Sequence, residues 1–196
     1  SDHLNDWLAS WAPNGLTGAR KHVAASDTFW DVAGRVHDTI NDGSRGFLLP
    51  LDLEKCFDRF HLGALEDVCH YLNLGPCITA LSLYKDIERL LYVDSEPSDV
   101  WFYGHSIVGI PQGCPLACTM CNLVAAAWHR ACLRVAPTAI TWTYLDDRLV
   151  LAESMADFNA ILVATDELDL AFGPRLNLGE SFRSCVGRGA AKAFVG

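Results

Sequence analysis

The stretch TYLDDRLVLA, Thr143 to Ala152, sets two adjacent aspartates, Asp146 and Asp147, between apolar, strand-forming residues. Carboxylates are hard oxygen ligands, so such a pair has the chemistry of a divalent-cation site of the Mg2+ type. A further acid, Asp52 in LDLEKCFDRF, stands at the end of the almost continuous apolar run FLLPLDLE. A carboxylate in that setting is costly unless it binds a cation or finds hydrogen-bond donors. Each acid also has an ordinary use, the pair as hairpin turn residues and Asp52 as a helix N-cap. A third stretch, GIPQGCPLA from Gly109 to Ala117, packs two glycines, two prolines and Gln112 into nine residues. It reads as a close-approach loop or as a tight turn feeding a helix that opens at Pro115.

Several elements must hold these residues in place. ASDTFWDVAGRVHDTIND spaces Phe29, Trp30, Ala33, Val36, His37 and Ile40 as a helix does, and NDGSRG closes it. FLLPLDLE suits a buried strand, although Pro50 is awkward in a central ladder. LGALEDVCHYLNLG and PCITALSLYKDIERLLYV are predicted as two helices, the first stopped by Gly75. VWFYGHSIVGIPQG is predicted as a strand pair or loop, and PLACTMCNLVAAAWHRACLRV as a small-residue helix. AITWTYLDDRLVLAE is then a hairpin, and SMADFNAILVATDELDLAFG an amphipathic helix ended at Gly173–Pro174. Strands and helices intermix, which predicts an α+β fold with a sheet covered by helices on one face.

Bulk properties narrow the function classes. With 196 residues, 51% hydrophobic and 20% charged, the chain can bury a sizeable core as one domain or a fragment of a larger protein. No apolar run reaches the roughly 18 residues a membrane span needs, and SDHLNDWLAS lacks the features of a secretory signal. An intracellular setting, nuclear or cytoplasmic, is expected, with both ends cut from a longer chain. The net charge of −9 argues against a free-standing nucleic-acid binder, which usually carries a basic excess. It leaves open an enzyme that meets nucleic acid through metal ions. The eight cysteines suit reduced thiols better than a disulfide framework. Cys114, Cys118, Cys121, His129 and Cys132 include a C-x-x-C pair, but the first three fall at helical spacing, favouring packing over zinc.

Taken together, DLEKCFD, GIPQGCPLA and YLDD resemble, in order, three motifs of reverse transcriptases: an Asp followed five residues later by an aromatic, a G-x-P-Q-G-x-P loop and a Y-x-D-D box. The form of the first motif is most similar to non-LTR retroelement enzymes, with group II intron enzymes the nearest competitor. The resemblance covers roughly Gly15 to Phe182. It implies an RNA-directed DNA polymerase palm with an antiparallel sheet, over residues 46–196, preceded by partial fingers and an N-terminal helical segment over 1–45, without a thumb. It also implies two Mg2+ ions, with Mn2+ as a substitute, that serve in-line nucleotidyl transfer. Asp52 and Asp146 would bridge them, with the Leu53 carbonyl as a backbone ligand and Asp147 as the weaker partner. Pro111, Gln112 and Gly113 would meet the incoming nucleotide, with Phe57 beneath its sugar to exclude a 2′-hydroxyl. Tyr144, Gly109 and Gly113 would meet template and primer. The implied partners are an RNA template, a DNA or RNA primer, dNTPs and other domains of a parent polyprotein, with no membrane.

The sequence departs from that pattern in places. Ala117 ends the second motif where Ser is usual. LNLGESF resembles the family's N-x-x-K motif but carries Glu180 at the lysine position, with Arg175 or Arg183 as the nearby cations. No basic fingers motif is evident beyond Arg20 and Lys21. A non-catalytic, decaying remnant is therefore a second reading, and an RNA-templated RNA polymerase a third that Phe57 opposes.

Overall fold

The computed structural model of the chain describes residues 2–86, 90–93, 96–101, 108–111, 113–177, 179, 181 and 184–187. In chain order the elements are helix α1 (Asp2–Trp11), α2 (Ala25–Asn41), strand β1 (Arg45–Leu51), α3 (Cys56–Arg59), α4 (Leu62–Tyr71) and α5 (Gly75–Asp86). There follow β2 (Leu90–Val93), β3 (Glu96–Trp101), α6 (Ala117–Val135), β4 (Ile140–Tyr144), β5 (Asp147–Ala152), α7 (Met155–Phe172) and β6 (Ser184–Gly187). The expected α+β plan is what the chain adopts, with an antiparallel sheet ordered β4-β5-β1-β6 and a separate β2-β3 hairpin.

Alternation along the strands separates the two faces of the sheet. Leu49, Leu51, Val150 and Ala152 point to one face and pack with Trp128 of α6 and Phe158 and Ile161 of α7. The other face carries Pro50, Trp142, Tyr144 and Leu149, and among the described residues α2 crosses it. No residue of α2 is buried, and Phe29, Trp30 and Ile40 of its apolar stripe are exposed. That face is thus lightly covered, although Trp142 on it is buried and its indole N–H donates to the Asp31 carboxylate of α2 at 2.6 Å. A second core, containing Phe60, Leu62, Leu65, Leu81 and Met120, joins α3, α4 and α5 to α6.

Two expectations require correction. The helix expected over residues 76–93 stops at Asp86, and Leu90–Val93 forms a strand paired with β3, a use that the leucine-rich run and its lone Tyr–Val ending did not distinguish from helix. The stop before α5 is not Gly75, which begins that helix, but Asn73 in the left-handed conformation at φ 55°. Pro50 does lie in an inner strand. Among the described residues β6 pairs with β1 from Arg45 to Leu48, short of Pro50, so no described ladder partner on that side needs the missing N–H. Residues 102–107 of the strand pair or loop expected over 100–113 fall outside the described residues, and β6 carries no signal that periodicity reveals in four residues.

Local signals bound helix α7. The Ser154 hydroxyl accepts from the Asp157 N–H at 3.1 Å to cap its start, and Gly173 at φ 99° ends it. The sheet edge at β4 is closed by the N-terminal segment. Thr17 N–H donates to the Thr143 carbonyl at 3.0 Å, and Thr143 N–H donates to the Gly15 carbonyl at 2.8 Å. A Cβ on Gly15 would lie 1.9 Å from the Thr141 oxygen, so only glycine permits this approach.

Candidate active site

Antiparallel pairing of β1 with β5 places Leu51 opposite Arg148, and continuing that register by one residue sets Asp52 against Asp147. β4 pairs Tyr144 with Asp147, which leaves Leu145 and Asp146 as the two residues of the hairpin loop. Leu145 has φ 58°, the only one of the two with positive φ, which is the φ pattern of a type II′ turn. Glycine is the usual residue at that position, and a leucine there costs on the order of 1 kcal/mol. Packing of its side chain against the α3–α6 core offsets that strain.

Asp52, Asp147 and Tyr144 share the wall of one cavity of about 530 Å3, roofed by Ala25, Thr28, Phe29 and Val32 of α2. Asp146 is outside that wall, half-buried on the turn, and its charge is felt by Cys121 of α6. The motif resemblance ranks Asp146 above Asp147 as the partner of Asp52, whereas it is Asp147 that lines the cavity with Asp52. The physical reason is that Asp147 is the first residue of β5, not a loop residue, so alternation sends it to the Asp52 side. Asp147 is exposed to solvent, yet neighbouring atoms crowd its carboxyl. Partial desolvation, then the charges of Asp146 and Asp52, push its pKa above the usual carboxylate range. Asp147 therefore senses both other carboxylates at one end of the sheet.

The neighbouring residue, Arg148, points to the opposite face and is buried. Its guanidinium donates to both oxygens of Asp169 on α7, at 2.8 and 3.1 Å, and lies 5.3 Å from the Trp128 ring centroid. This ties the strand bearing Asp147 to both covering helices. Beside it, His129 is enclosed between the Thr141 and Thr143 hydroxyls at 2.6 and 3.1 Å. Burial, with a contribution from Arg148, lowers its pKa to about 4.

The segment after Asp52 is bound into the fold by the chain that follows α7. Leu53 forms an antiparallel bridge with Leu176, and Glu54 N–H donates to the Arg175 carbonyl at 2.8 Å. Asn177 N–H donates to the Asp52 carbonyl at 2.9 Å. Asn177 and Ser181 also reach Asp52 directly, a role that sequence reading missed; their place in the LNLGESF motif was its only signal.

The glycine-rich loop is stitched to α3. Gly109 N–H donates to the Phe60 carbonyl at 2.8 Å and Ile110 N–H to the Phe57 carbonyl at 2.7 Å. Pro111 accepts from Cys114 N–H at 3.2 Å across a turn whose third residue, Gly113, has φ 85°. Phe57 packs edge-on against Phe60, 6.2 Å between centroids, and leans on the α3–α6 core. None of Gly109, Pro111, Gly113 and Phe57 lines the cavity holding Asp52 and Asp147. Gln112 and Glu180 lie outside the described residues. The cysteines considered for zinc are dispersed: Cys114 contacts the Tyr84 hydroxyl, Cys121 contacts Cys56, and Cys132 sits in the sheet core.

No protein-family model matches the chain, and no curated protein matches it in sequence. Solved structures do match in fold. Apo telomerase from Candida tropicalis, truncated from its C-terminal domain, superposes with a TM-score of 0.69 at 11% identity, covering 96% of this chain and 40% of that one. Telomerase from the same organism in complex with a fragment of telomeric RNA gives 0.65 at 14% identity, over 96% and 33% of the two chains. The corresponding Candida albicans complex gives 0.60 at 12%, over 92% and 32%. The chain thus spans about a third to two-fifths of these structures, and over that span it shares their α+β fold.

Proposed function

We propose that this chain is the catalytic palm of an RNA-directed DNA polymerase of retroelement type. The observation that carries the reading is that Asp52 and Asp147, at the adjoining ends of the paired strands β1 and β5, line one cavity. Two of the three ordered motifs supply those residues, and the likeness in fold to telomerase structures supports the reading. RNA bound to two of the structural neighbours supports nucleic acid as the substrate class.

Under this reading Asp52 and Asp147, with Asp146 from the turn and the Leu53 carbonyl, hold Mg2+. Among the described residues no group of three His, Cys, Asp or Glu side chains is placed to hold a metal ion by itself. Mg2+ needs none, since it is usually held by one or two carboxylates completed by water and substrate phosphates. The crowded negative charge that raises Asp147 is what a divalent cation would relieve. When bound, the metal ions stabilise the attacking and leaving oxygens of the transferred phosphoryl group. The chain's own residues provide placement: the sheet fixes the carboxylates, and the Gly109–Gly113 loop offers backbone that a base pair can approach closely. Gln112, Pro111 and Gly113 meet the nucleotide, Tyr144 the primer, and Phe57 selects dNTPs. Template, primer and the remainder of the parent protein complete the assembly, inside the cell.

Extension of a DNA primer on RNA, by the whole protein with Mg2+ and dNTPs, tests the reading. Asp52→Ala and Asp147→Ala should each reduce the rate by at least 1,000-fold, on the order expected when a metal ligand is lost. Activity equal to wild type in either variant defeats it. Glu180 in place of a basic residue favours the second reading, a folded remnant without catalysis. For that reading the wild-type protein extends no primer and binds no Mn2+.

A further inference from the structure

Asn177 holds its amide in one orientation. Its Oδ1 accepts from the Gly179 N–H at 3.2 Å, which leaves Nδ2 as the end that faces Asp52. Nδ2 donates to Asp52 Oδ2 at 3.0 Å. The Asp52 N–H donates to the Ser181 hydroxyl at 3.2 Å, and Ser181 N–H donates back to the Asn177 carbonyl at 2.8 Å. Asp52 is therefore gripped at its carboxylate, its N–H and its carbonyl by a segment 125 positions later in the chain. Among the described residues, Oδ1 of Asp52 has no hydrogen-bond partner.

We propose that Asn177 is a positioning residue that fixes the Asp52 carboxylate rotamer and turns Oδ1 toward a divalent cation in the α2-roofed cavity. This rests on the proposed metal-dependent function. The requirement for an amide follows from chemistry, because the position needs an acceptor for Gly179 and a donor for Asp52 on one short side chain. Asp offers no donor when ionised, and Ser is too short to reach both. An oriented carboxylate gives up less rotational freedom on binding a cation, and such outer hydrogen bonds commonly account for about ten- to hundredfold in metal affinity.

The test is Mn2+ titration of the 196-residue chain by calorimetry, with thermal unfolding of each variant alongside. Asn177→Ser keeps a hydroxyl that can accept from Gly179 and so preserves the local turn, but loses the donor to Asp52. It is expected to weaken Mn2+ binding roughly tenfold, as is Asn177→Ala, with unfolding midpoints near wild type for Asn177→Ser. Asp52→Asn should remove the binding. Wild-type affinity in Asn177→Ser, with binding lost in Asp52→Asn, overturns the positioning role and leaves the metal site standing. Absence of Mn2+ binding in the wild-type chain overturns the functional reading and the inference together.

Discussion

Gly18 lies where the N-terminal segment passes the tip of the acidic hairpin. A Cβ built there would stand 2.2 Å from the Leu145 backbone nitrogen and 3.0 Å from the Tyr144 carbonyl carbon. Ordinary contact begins near 3.4 Å, so Gly18→Ala must part the two backbones by about 1.2 Å. If the N-terminal segment withdraws, the contacts at risk include Thr17 N–H and hydroxyl to the Thr143 carbonyl, and the Asn122 amide to the Gly18 carbonyl at 2.9 Å. At about 1 kcal/mol net each, their loss predicts a destabilisation of roughly 2–3 kcal/mol. If the hairpin tip moves instead, Asp146 and Asp147 are displaced by a distance that typically costs about a hundredfold in catalysis. Gly34 supplies the control, because it sits inside α2 with nothing within 4 Å of its built Cβ. Gly34→Ala should stabilise by about 0.5–1 kcal/mol through helix propensity. Urea unfolding of both variants reads the contrast. If Gly18→Ala unfolds within about 0.5 kcal/mol of wild type and keeps full Mn2+ affinity, the close approach of these two segments is wrong.

Other consequences are equally direct. Arg148→Met strands the buried Asp169 carboxylate and should cost about 3–5 kcal/mol in urea unfolding, and Arg148→Met/Asp169→Leu should recover most of that loss. His129 has a folded pKa of about 4 against 6.5 when unfolded, so the unfolded state takes up the proton first as pH falls. Its contribution is fully present above about pH 6.5 and is lost progressively toward pH 4, on the order of 3 kcal/mol in all. His129→Gln should flatten that part of the stability profile. Phe57→Val, in primer extension by the whole protein, should raise ribonucleotide incorporation at least tenfold if the ring selects the sugar, and leave it unchanged if the ring serves only the α3–α6 core.

Much of this architecture is written locally. The cap at Ser154, the stop at Gly173 and the spacing of α2 and α6 each depend on residues within a turn or two of one another. The acidic hairpin was legible for the same reason, since YLDD sits between two short apolar runs. The relative rank of Asp146 and Asp147 was not, because it depends on which residue begins β5, and a one-residue change of register exchanges the faces. Residues 90–93 read as a continuation of α5 because leucines serve both periodicities, and only pairing with β3 decides. The grip of Asn177 and Ser181 on Asp52 joins positions far apart in the chain, so no window of sequence displays it.

The central claim is that the carboxylates of Asp52 and Asp147 hold one divalent cation between them. A double-mutant cycle in Mn2+ affinity, using Asp52→Asn, Asp147→Asn and the pair, addresses it without reference to turnover. Each single variant should lose at least tenfold, and the double variant should bind little worse than either. Losses that simply multiply, or an Asp147→Asn chain that binds Mn2+ like wild type, would mean that the two acids serve separate ends.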